Sequence, residues 1–223
     1  MTARLQHIKD KNMRPFIGIE GPIGVGKTTL ANYLHQQIQA ELMLEVFAEN
    51  PFLARFYENA TCYALQTQLF FLMNRYKQYN QLAHEGGIIV SDYIFAKNDL
   101  FSRYTLNPEE YELYLEISSN LAENLVQPSM VVYLTADLDV LMQRIAKRGR
   151  DYEQRQAMLE YMQHLTEQYE TFFSTYQDAP ILRIDTTDMN IVEDGEARAH
   201  LIQHILTDFE TLLAEQPTQV LLL

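Results

Sequence analysis

Residues 16–42 read FIGIEGPIGVGKTTLANYLHQQIQAEL and contain the pattern Gly-x-x-x-x-Gly-Lys-Thr over residues 21–28. The apolar run Phe16–Glu20 before the pattern predicts a buried strand, and the spacing of apolar residues after it predicts a helix. Glycines in such a turn let backbone N–H groups point inward around a polyphosphate at the start of the helix. The stretch therefore predicts a nucleoside triphosphate site.

The residues of this turn are expected to contact the triphosphate. Lys27 supplies a point charge to the outer phosphates, and the hydroxyl of Thr28 is available to Mg²⁺. The predicted ATP-binding residues of the loop are Gly21, Pro22, Ile23, Gly24, Val25, Gly26, Lys27, Thr28 and Thr29. The pattern alone does not identify a kinase, because switches, motors and transporters share it.

Short apolar runs recur between helical stretches and predict the rest of the fold. They lie at Phe16–Glu20, Leu44–Ala48, Gly87–Val90, Met130–Leu134 and Ile181–Ile184. Asn107 followed by Pro108 predicts a capped helix start between the third and fourth of these strands. The alternation of strand and helix predicts an α/β fold, with a doubly wound five-stranded parallel sheet flanked by helices. Ligands of such sheets bind at the carboxyl ends of the strands.

The composition fits one domain, since the 223 residues are 47% apolar and no low-complexity segment divides them. We predict a single domain over residues 1–223, with an N-terminal tail at 1–14, a lid at about 144–156 and a C-terminal tail at 215–223. No apolar run reaches the roughly 18 residues that cross a bilayer, so no membrane partner is expected. The one cysteine, Cys62, fits a reducing compartment and predicts a cytoplasmic protein.

The charge is acidic, with 30 Asp and Glu against 17 Lys and Arg, which leaves a formal net charge of -13. Such a surface repels phosphate backbones, so a nucleic acid polymer is not an expected partner. Several of the basic residues nevertheless cluster in the run Arg144–Arg150, in which Gly149 is expected to end a helix. This run can close over phosphates and stabilise a transferred group. The alternative is that cations merely complement a helix C-terminus.

Two acids follow predicted strands. Glu49 lies at the end of the second strand and is a candidate to orient or deprotonate a hydroxyl acceptor, although it could instead be a capping acid before Pro51. Asp92 ends the third strand, where an acid commonly reaches the Mg²⁺ shell. A helix-capping role for Asp92 is the alternative.

Gln68 and Arg75 are spaced so that both side chains point from one face of a helix. An amide can pair with a nucleobase edge through a donor and an acceptor, and the neighbouring cation can support it. Solvated surface is the alternative. Together with the phosphate loop, the Glu-x-Pro segment at Glu49 and the arginine run, this pair resembles the deoxynucleoside kinase family, from about Phe16 to Tyr176. That family includes deoxycytidine, deoxyguanosine and deoxyadenosine kinases.

The resemblance implies a P-loop fold of the nucleoside kinase type, usually in a homodimer. It also implies that Mg²⁺ and ATP are used to phosphorylate the 5'-hydroxyl of a deoxyribonucleoside in nucleotide salvage. In this reading Glu49 is the base, Tyr57 holds the sugar 3'-hydroxyl, and Gln68 reads the nucleobase beside Arg75. The lid arginines, which act on ATP and the transferred phosphoryl group, are Arg144, Arg148 and Arg150. Glu153 matches a lid-side acid that helps to bind the sugar.

The sequence departs from the family pattern after Asp92, which is expected to contact substrate and Mg²⁺. The family places Arg and Ser there, whereas this chain has Tyr93 and Ile94. The usual arginine lies near the acceptor 5'-position, so Lys97 or Arg103 could replace it. Asn98 stands where several members carry an acid that tunes base choice. Overall resemblance to bacterial members favours a purine.

Two other functions fit parts of the pattern. Thymidylate kinases share the loop, sheet and lid, but their acceptor already carries a phosphate, which a carboxylate at the acceptor site would repel. A nucleotide-binding module without turnover is the second alternative, and Tyr93 is the best argument for it.

Overall fold

The computed structural model describes residues 14–82, 87–123, 125–149 and 158–215. Within these ranges, the strands are Phe16–Glu20 (β1), Glu41–Met43 (β2), Ile89–Ser91 (β3), Met130–Thr135 (β4) and Ile181–Asp185 (β5). They form one five-stranded sheet in the order β2-β3-β1-β4-β5, and every neighbouring pair is parallel. The predicted α/β fold with a five-stranded parallel sheet is confirmed.

Helices occupy most of the chain between the strands. In the described ranges they are Lys27–Ile38 (α1), Leu53–Glu58 (α2), Ala60–Leu82 (α3), Lys97–Thr105 (α4), Pro108–Ala122 (α5), Leu138–Arg148 (α6), Met158–Thr175 (α7) and Gly195–Glu215 (α8). The predicted cap is present, because the Asn107 side chain accepts from the backbone N–H of Glu110 and the Glu110 side chain accepts from that of Asn107. Gly149 ends α6 with φ of 70°, in the left-handed region.

Both faces of the sheet are covered, as the alternation of side chains along β1 shows. Ile17 and Ile19 belong to the main core, together with Leu34 of α1. Phe16 points to the other face and packs with Tyr79 of α3 in a second cluster. None of the described helices is long and apolar enough to cross a membrane.

The prediction for the second strand is wrong, because the strand begins three residues before the predicted run and ends five residues before the end of that run. The strand is Glu41–Met43, which pairs with Ile89–Ser91, whereas Leu44–Ala48 forms the segment that follows. The helix before it ends earlier than its apolar pattern suggests, because Gln39 adopts a left-handed backbone with φ of 51°. No glycine marks that turn, so the sequence carries no local signal for it.

Candidate active site

A cavity of about 920 Å³ lies where the carboxyl ends of the central strands converge. Its walls include Lys27 and Thr28 after β1, Glu45 after β2 and Asp92 after β3. The remaining walls come from α2, α3, α4, α6, α7 and the segment between β5 and α8. Residues predicted for the triphosphate and residues predicted for the acceptor therefore share one cavity.

The phosphate loop has the backbone that its glycines permit. Gly26 has φ of 106°, which strains any residue with a side chain. At Gly21 a Cβ atom would lie 2.3 Å from the carbonyl oxygen of Leu134, so the loop can pack against β4 only without one. Residues 23–29 line the cavity, whereas Gly21 and Pro22 do not line it and meet Lys27 through their carbonyl oxygens.

Lys27 folds back onto its own loop. Its ammonium donates to the carbonyl oxygens of Gly21 at 2.6 Å and Pro22 at 3.0 Å. Burial, and next the nearby ammonium of Lys97, lower the pKa of Lys27 to about 8. Glu20, Glu45 and Asp92 act in the opposite direction and raise that pKa, and a bound anion would likewise favour the charged form of Lys27.

Thr28 and Asp92 are joined directly, since the Thr28 hydroxyl donates to Asp92 Oδ2 at 2.5 Å. Burial raises the pKa of Asp92 above its ordinary value. Because the Thr28 hydroxyl donates its hydrogen bond to Asp92, the lone pairs of its oxygen remain available to a metal ion. These two residues therefore fit Mg²⁺. The described residues contain no cluster of three or more His, Cys, Asp or Glu side chains for a metal, so phosphates and water would complete the shell.

Glu45 is the glutamate of this segment that lines the cavity, so the predicted position of Glu49 there is corrected. Because β2 ends at Met43, Glu45 is the acid that reaches the carboxyl edge of the sheet, and its backbone N–H donates to Asp92 Oδ1 at 2.7 Å. Glu49 lies exposed in a turn and does not line the cavity.

Two buried cations hold the Glu45 carboxylate. Arg75 donates to Oε1 from Nε at 3.0 Å and also from Nη2, while Lys97 donates to Oε2 at 2.9 Å. Burial by itself would raise the pKa of Glu45, but Lys97 and Arg75 outweigh it and hold that pKa well below its ordinary value. Glu45 is therefore ionised and fixed in orientation before any ligand binds.

Arg75 is itself positioned from behind. Its Nη1 donates to Asn98 Oδ1, and the same oxygen accepts from the hydroxyl of Tyr114. Asn98 is buried and does not line the cavity, so the structure separates it from the predicted substrate contacts. The amide acts on the cavity through Arg75.

Gln68 lies in the cavity wall with its amide orientation fixed. Its Nε2 donates to the hydroxyl oxygen of Thr105 at 3.2 Å, and that hydroxyl itself donates to the Phe101 carbonyl at 2.7 Å. Thr105 can therefore only accept from Gln68, which fixes the orientation of the amide. Gln68 Oε1 is buried without a partner among the described residues, and so is Thr67 Oγ1. Both residues line the cavity, so the wall contains an acceptor and a hydroxyl whose hydrogen-bonding capacity the described residues do not fill.

The structure describes only part of the predicted lid, namely residues 144–149. Arg144 donates to the carbonyls of Thr186 at 2.6 Å and Met189 at 2.8 Å, and to the Thr186 hydroxyl at 3.1 Å. It therefore fastens the segment between β5 and α8 to α6. Arg148 lines the cavity. Arg150 and Glu153 lie outside the described residues, as do the tails at 1–13 and 216–223.

Tyr57 lines the cavity from α2, and its ring lies edge-on to that of Tyr161 at 5.7 Å between centroids. A nonpolar wall is thus present beside the phosphate loop and Glu45. The Tyr57 side chain also forms a hydrogen bond with that of Tyr161.

Glu20 is a buried acid that sequence reasoning missed. It accepts from the backbone N–H groups of Gly21 at 3.2 Å and Ile94 at 3.0 Å, and from the Tyr169 hydroxyl at 3.1 Å. It therefore ties the phosphate loop, the segment after β3 and α7 to one carboxylate. An acid inside an otherwise apolar strand was the available signal.

Comparison with known proteins agrees with this geometry. The family model described as deoxynucleoside kinase matches residues 17–210. A deoxyguanosine kinase of Bacillus subtilis is 36% identical over 208 residues, which cover 91% of this chain and 96% of that protein. A deoxyadenosine/deoxycytidine kinase of the same organism is 26% identical over 197 residues, with coverage of 85% and 90%.

The fold also matches solved structures. A deoxyadenosine kinase from M. mycoides with bound dATP superposes with a TM-score of 0.75 at 26% identity, covering 86% of this chain and 99% of that one. The family match extends over most of the chain and includes the phosphate loop, Glu45 and the Gln68 helix. This chain therefore belongs to the deoxynucleoside kinase family.

Proposed function

We propose that this deoxynucleoside kinase transfers the γ-phosphoryl group of ATP to the 5'-hydroxyl of a purine deoxyribonucleoside. The observation that carries the proposal is the Glu45 carboxylate, which lies partly buried in the cavity that it shares with the phosphate loop and is held by Arg75 and Lys97. A carboxylate suits an uncharged hydroxyl acceptor and would repel one that already carries a phosphate. This favours a nucleoside over the monophosphate used by thymidylate kinases.

Glu45 acts on the acceptor hydroxyl. Oε1 already accepts two N–H groups from Arg75, whereas Oε2 accepts one from Lys97, so Oε2 retains capacity for the 5'-hydroxyl. As the oxygen bonds to the γ-phosphorus, its proton passes to Glu45, and the bond between that phosphorus and the bridging oxygen breaks. ADP leaves with the electron pair.

The base lies against the wall formed by Thr67 and Gln68. Gln68 Oε1 accepts from an N–H group of the base edge, which guanine offers at N1 and adenine at its exocyclic amine. Burying the unpaired oxygen against such a donor removes the cost of leaving it unsatisfied. The name of the 36% identical deoxyguanosine kinase of Bacillus subtilis supports a purine, whereas the name of the 26% identical relative covers both a purine and a pyrimidine nucleoside.

The donor lies on the phosphate loop. Lys27 leaves the loop carbonyls for the outer phosphates. Thr28 and Asp92 would hold Mg²⁺, which would supply positive charge against the charge that develops during transfer. Arg144 shapes the donor side through the segment that it fastens. Arg148 and Arg150 contact the phosphates, while Tyr57 and Glu153 hold the sugar.

We further propose one domain over residues 1–223, acting as a homodimer in the cytoplasm. The exposed apolar side chains Met73 on α3 and Leu113 on α5, which are 49% and 50% exposed, support an interface. The single thiol, Cys62, is exposed and suits a reducing compartment.

A substrate panel tests the proposal. The purified enzyme receives Mg-ATP with each of the four common deoxyribonucleosides or each of their 5'-monophosphates, and products are identified by mass. We expect 5'-phosphorylation of a purine deoxyribonucleoside and no turnover of monophosphates. A Glu45→Gln enzyme purified in the same way controls for contaminating host kinases. Turnover of monophosphates alone, or of nothing, would contradict the proposal.

A further inference from the structure

Lys97 is a buried cation whose position is unusual. It is 6% exposed and stands in the first turn of α4, where the helix dipole disfavours positive charge. Its ammonium makes one hydrogen bond within the described part of the chain, to Glu45 Oε2, and lies 5.5 Å from the Phe101 ring centroid. Two of its three donors are thus left for other groups. Burying an ammonium with so few partners is costly, so a further partner is expected.

Neutralising Glu45 does not require Lys97. Arg75 already binds Glu45 Oε1 through two N–H groups and is buried beside it. One carboxylate thus has two cations. Lys27, on the phosphate loop, lines the same cavity as Lys97. The walls of this cavity therefore supply two ammonium groups that can bind an anion.

The other candidate cation points elsewhere. Arg103 is exposed and donates to Asp99 at 3.1 Å on the same helix. Tyr93, which follows Asp92, is fully buried and donates its hydroxyl proton to Gln78 Oε1. Of these three side chains, only that of Lys97 brings a charge into the cavity.

We propose that Lys97 is a catalytic residue that binds the phosphoryl group as it arrives at the acceptor oxygen, between Glu45 and Lys27. The inference rests on the proposed function and assigns a role that Glu45, Arg75 and the lid do not fill. The nucleoside is uncharged, so its binding does not disturb the ion pair between Lys97 and Glu45. When the phosphoryl group arrives, its oxygens accept hydrogen bonds from the two free N–H groups of Lys97. No covalent bond to Lys97 is made or broken.

Equilibrium binding separates this role from a structural one. Affinities are measured by calorimetry for deoxyguanosine and dGMP, and for deoxyadenosine and dAMP, with wild type, Lys97→Met and Lys97→Arg. We expect Lys97→Met to bind the monophosphate about 10- to 100-fold more weakly, as for loss of a charged hydrogen bond. Its nucleoside affinity should stay within about threefold, with a lower kcat. Lys97→Arg should retain most of the monophosphate affinity. The matched control is Lys77→Met, an exposed lysine on α3.

Repeating the Lys97→Met change in a Glu45→Gln enzyme tests the phosphoryl contact without the Glu45 carboxylate. If Lys97 merely holds Glu45, the Lys97→Met change should have no effect on monophosphate affinity in a Glu45→Gln enzyme; if it binds the phosphoryl group, the loss should persist there. Equal weakening of nucleoside and monophosphate would also overturn the inference. Should thermal melting show that Lys97→Met is unfolded, Lys97→Gln takes its place. Absence of any nucleoside turnover by wild type would reject the proposed function, whereas wild-type behaviour of Lys97→Met would reject this inference alone.

Discussion

Asp92 accepts on one oxygen from the Thr28 hydroxyl and on the other from the backbone N–H of Glu45. The phosphate loop and the segment after β2 are therefore joined by a single carboxylate at the centre of the cavity. The hydrogen bond to Asp92 fixes the backbone of Glu45, and Arg75 and Lys97 fix its carboxylate.

Exchanging the two acids of this segment gives a direct test of the corrected assignment. Glu45→Gln should lower kcat by roughly 10² or more with little change in nucleoside KM, because it removes the proton acceptor. Glu49→Gln should behave as wild type, since Glu49 is exposed and outside the cavity. Steady-state kinetics with the best nucleoside measure both. An unchanged kcat for Glu45→Gln would remove it from this role.

Thr105 orients the amide of Gln68, which we propose to contact the nucleobase. In Thr105→Val the acceptor for Gln68 Nε2 is lost, so the amide can turn and present either end. The ratio of kcat/KM between the best and second-best nucleoside should fall about 2- to 15-fold, the value of one hydrogen bond. Thr105→Ser keeps the hydroxyl and should retain the ratio. Identical discrimination by both variants would show that Gln68 is fixed by other contacts.

A substitution of Arg144 tests whether this residue supports ATP binding or contacts the phosphoryl group during transfer. Because its three hydrogen bonds go to Thr186 and Met189, Arg144→Met should release that segment and raise the KM for ATP about 10-fold. The kcat at saturating ATP should change less. A fall in kcat without a change in KM would instead support direct contact with the transferred phosphoryl group.

Glu20 should matter for stability. Its carboxylate accepts three hydrogen bonds while buried, so Glu20→Gln leaves at least one donor facing another donor. The free energy of unfolding should fall by about 2 to 4 kcal/mol, as measured by urea denaturation. Tyr169→Phe removes one of the bonds and should cost about 1 to 2 kcal/mol. Glu160→Gln, an exposed change on α7, should cost less than about 0.5 kcal/mol.

Local patterns predicted much of the fold because the phosphate loop, the apolar strands and the cap at Asn107 each act within a few residues. The helical spacing also placed Gln68 and Arg75 on the same cavity wall. The error at Glu49 followed from the left-handed turn at Gln39, which no glycine announces. A turn of this kind moves a strand by three residues and with it the acid that reaches the site.

Lys97 illustrates a second limit. Its pairing with Glu45 joins residues 52 positions apart, which only the tertiary fold brings together. The available signal was a lysine in the first turn of a helix, a position that favours acids. Its burial and its single partner could not be read from the pattern.

The two hydrogen bonds that Asp92 accepts have a consequence for the affinities of the two substrates. A metal ion bound by Thr28 would alter the hydrogen bonding of Asp92, and the same carboxylate supports the backbone of Glu45. We therefore expect the affinity for one substrate to depend on occupancy by the other, by a factor that linkage makes equal in both directions. On this expectation, the donor and acceptor sites behave as a coupled pair.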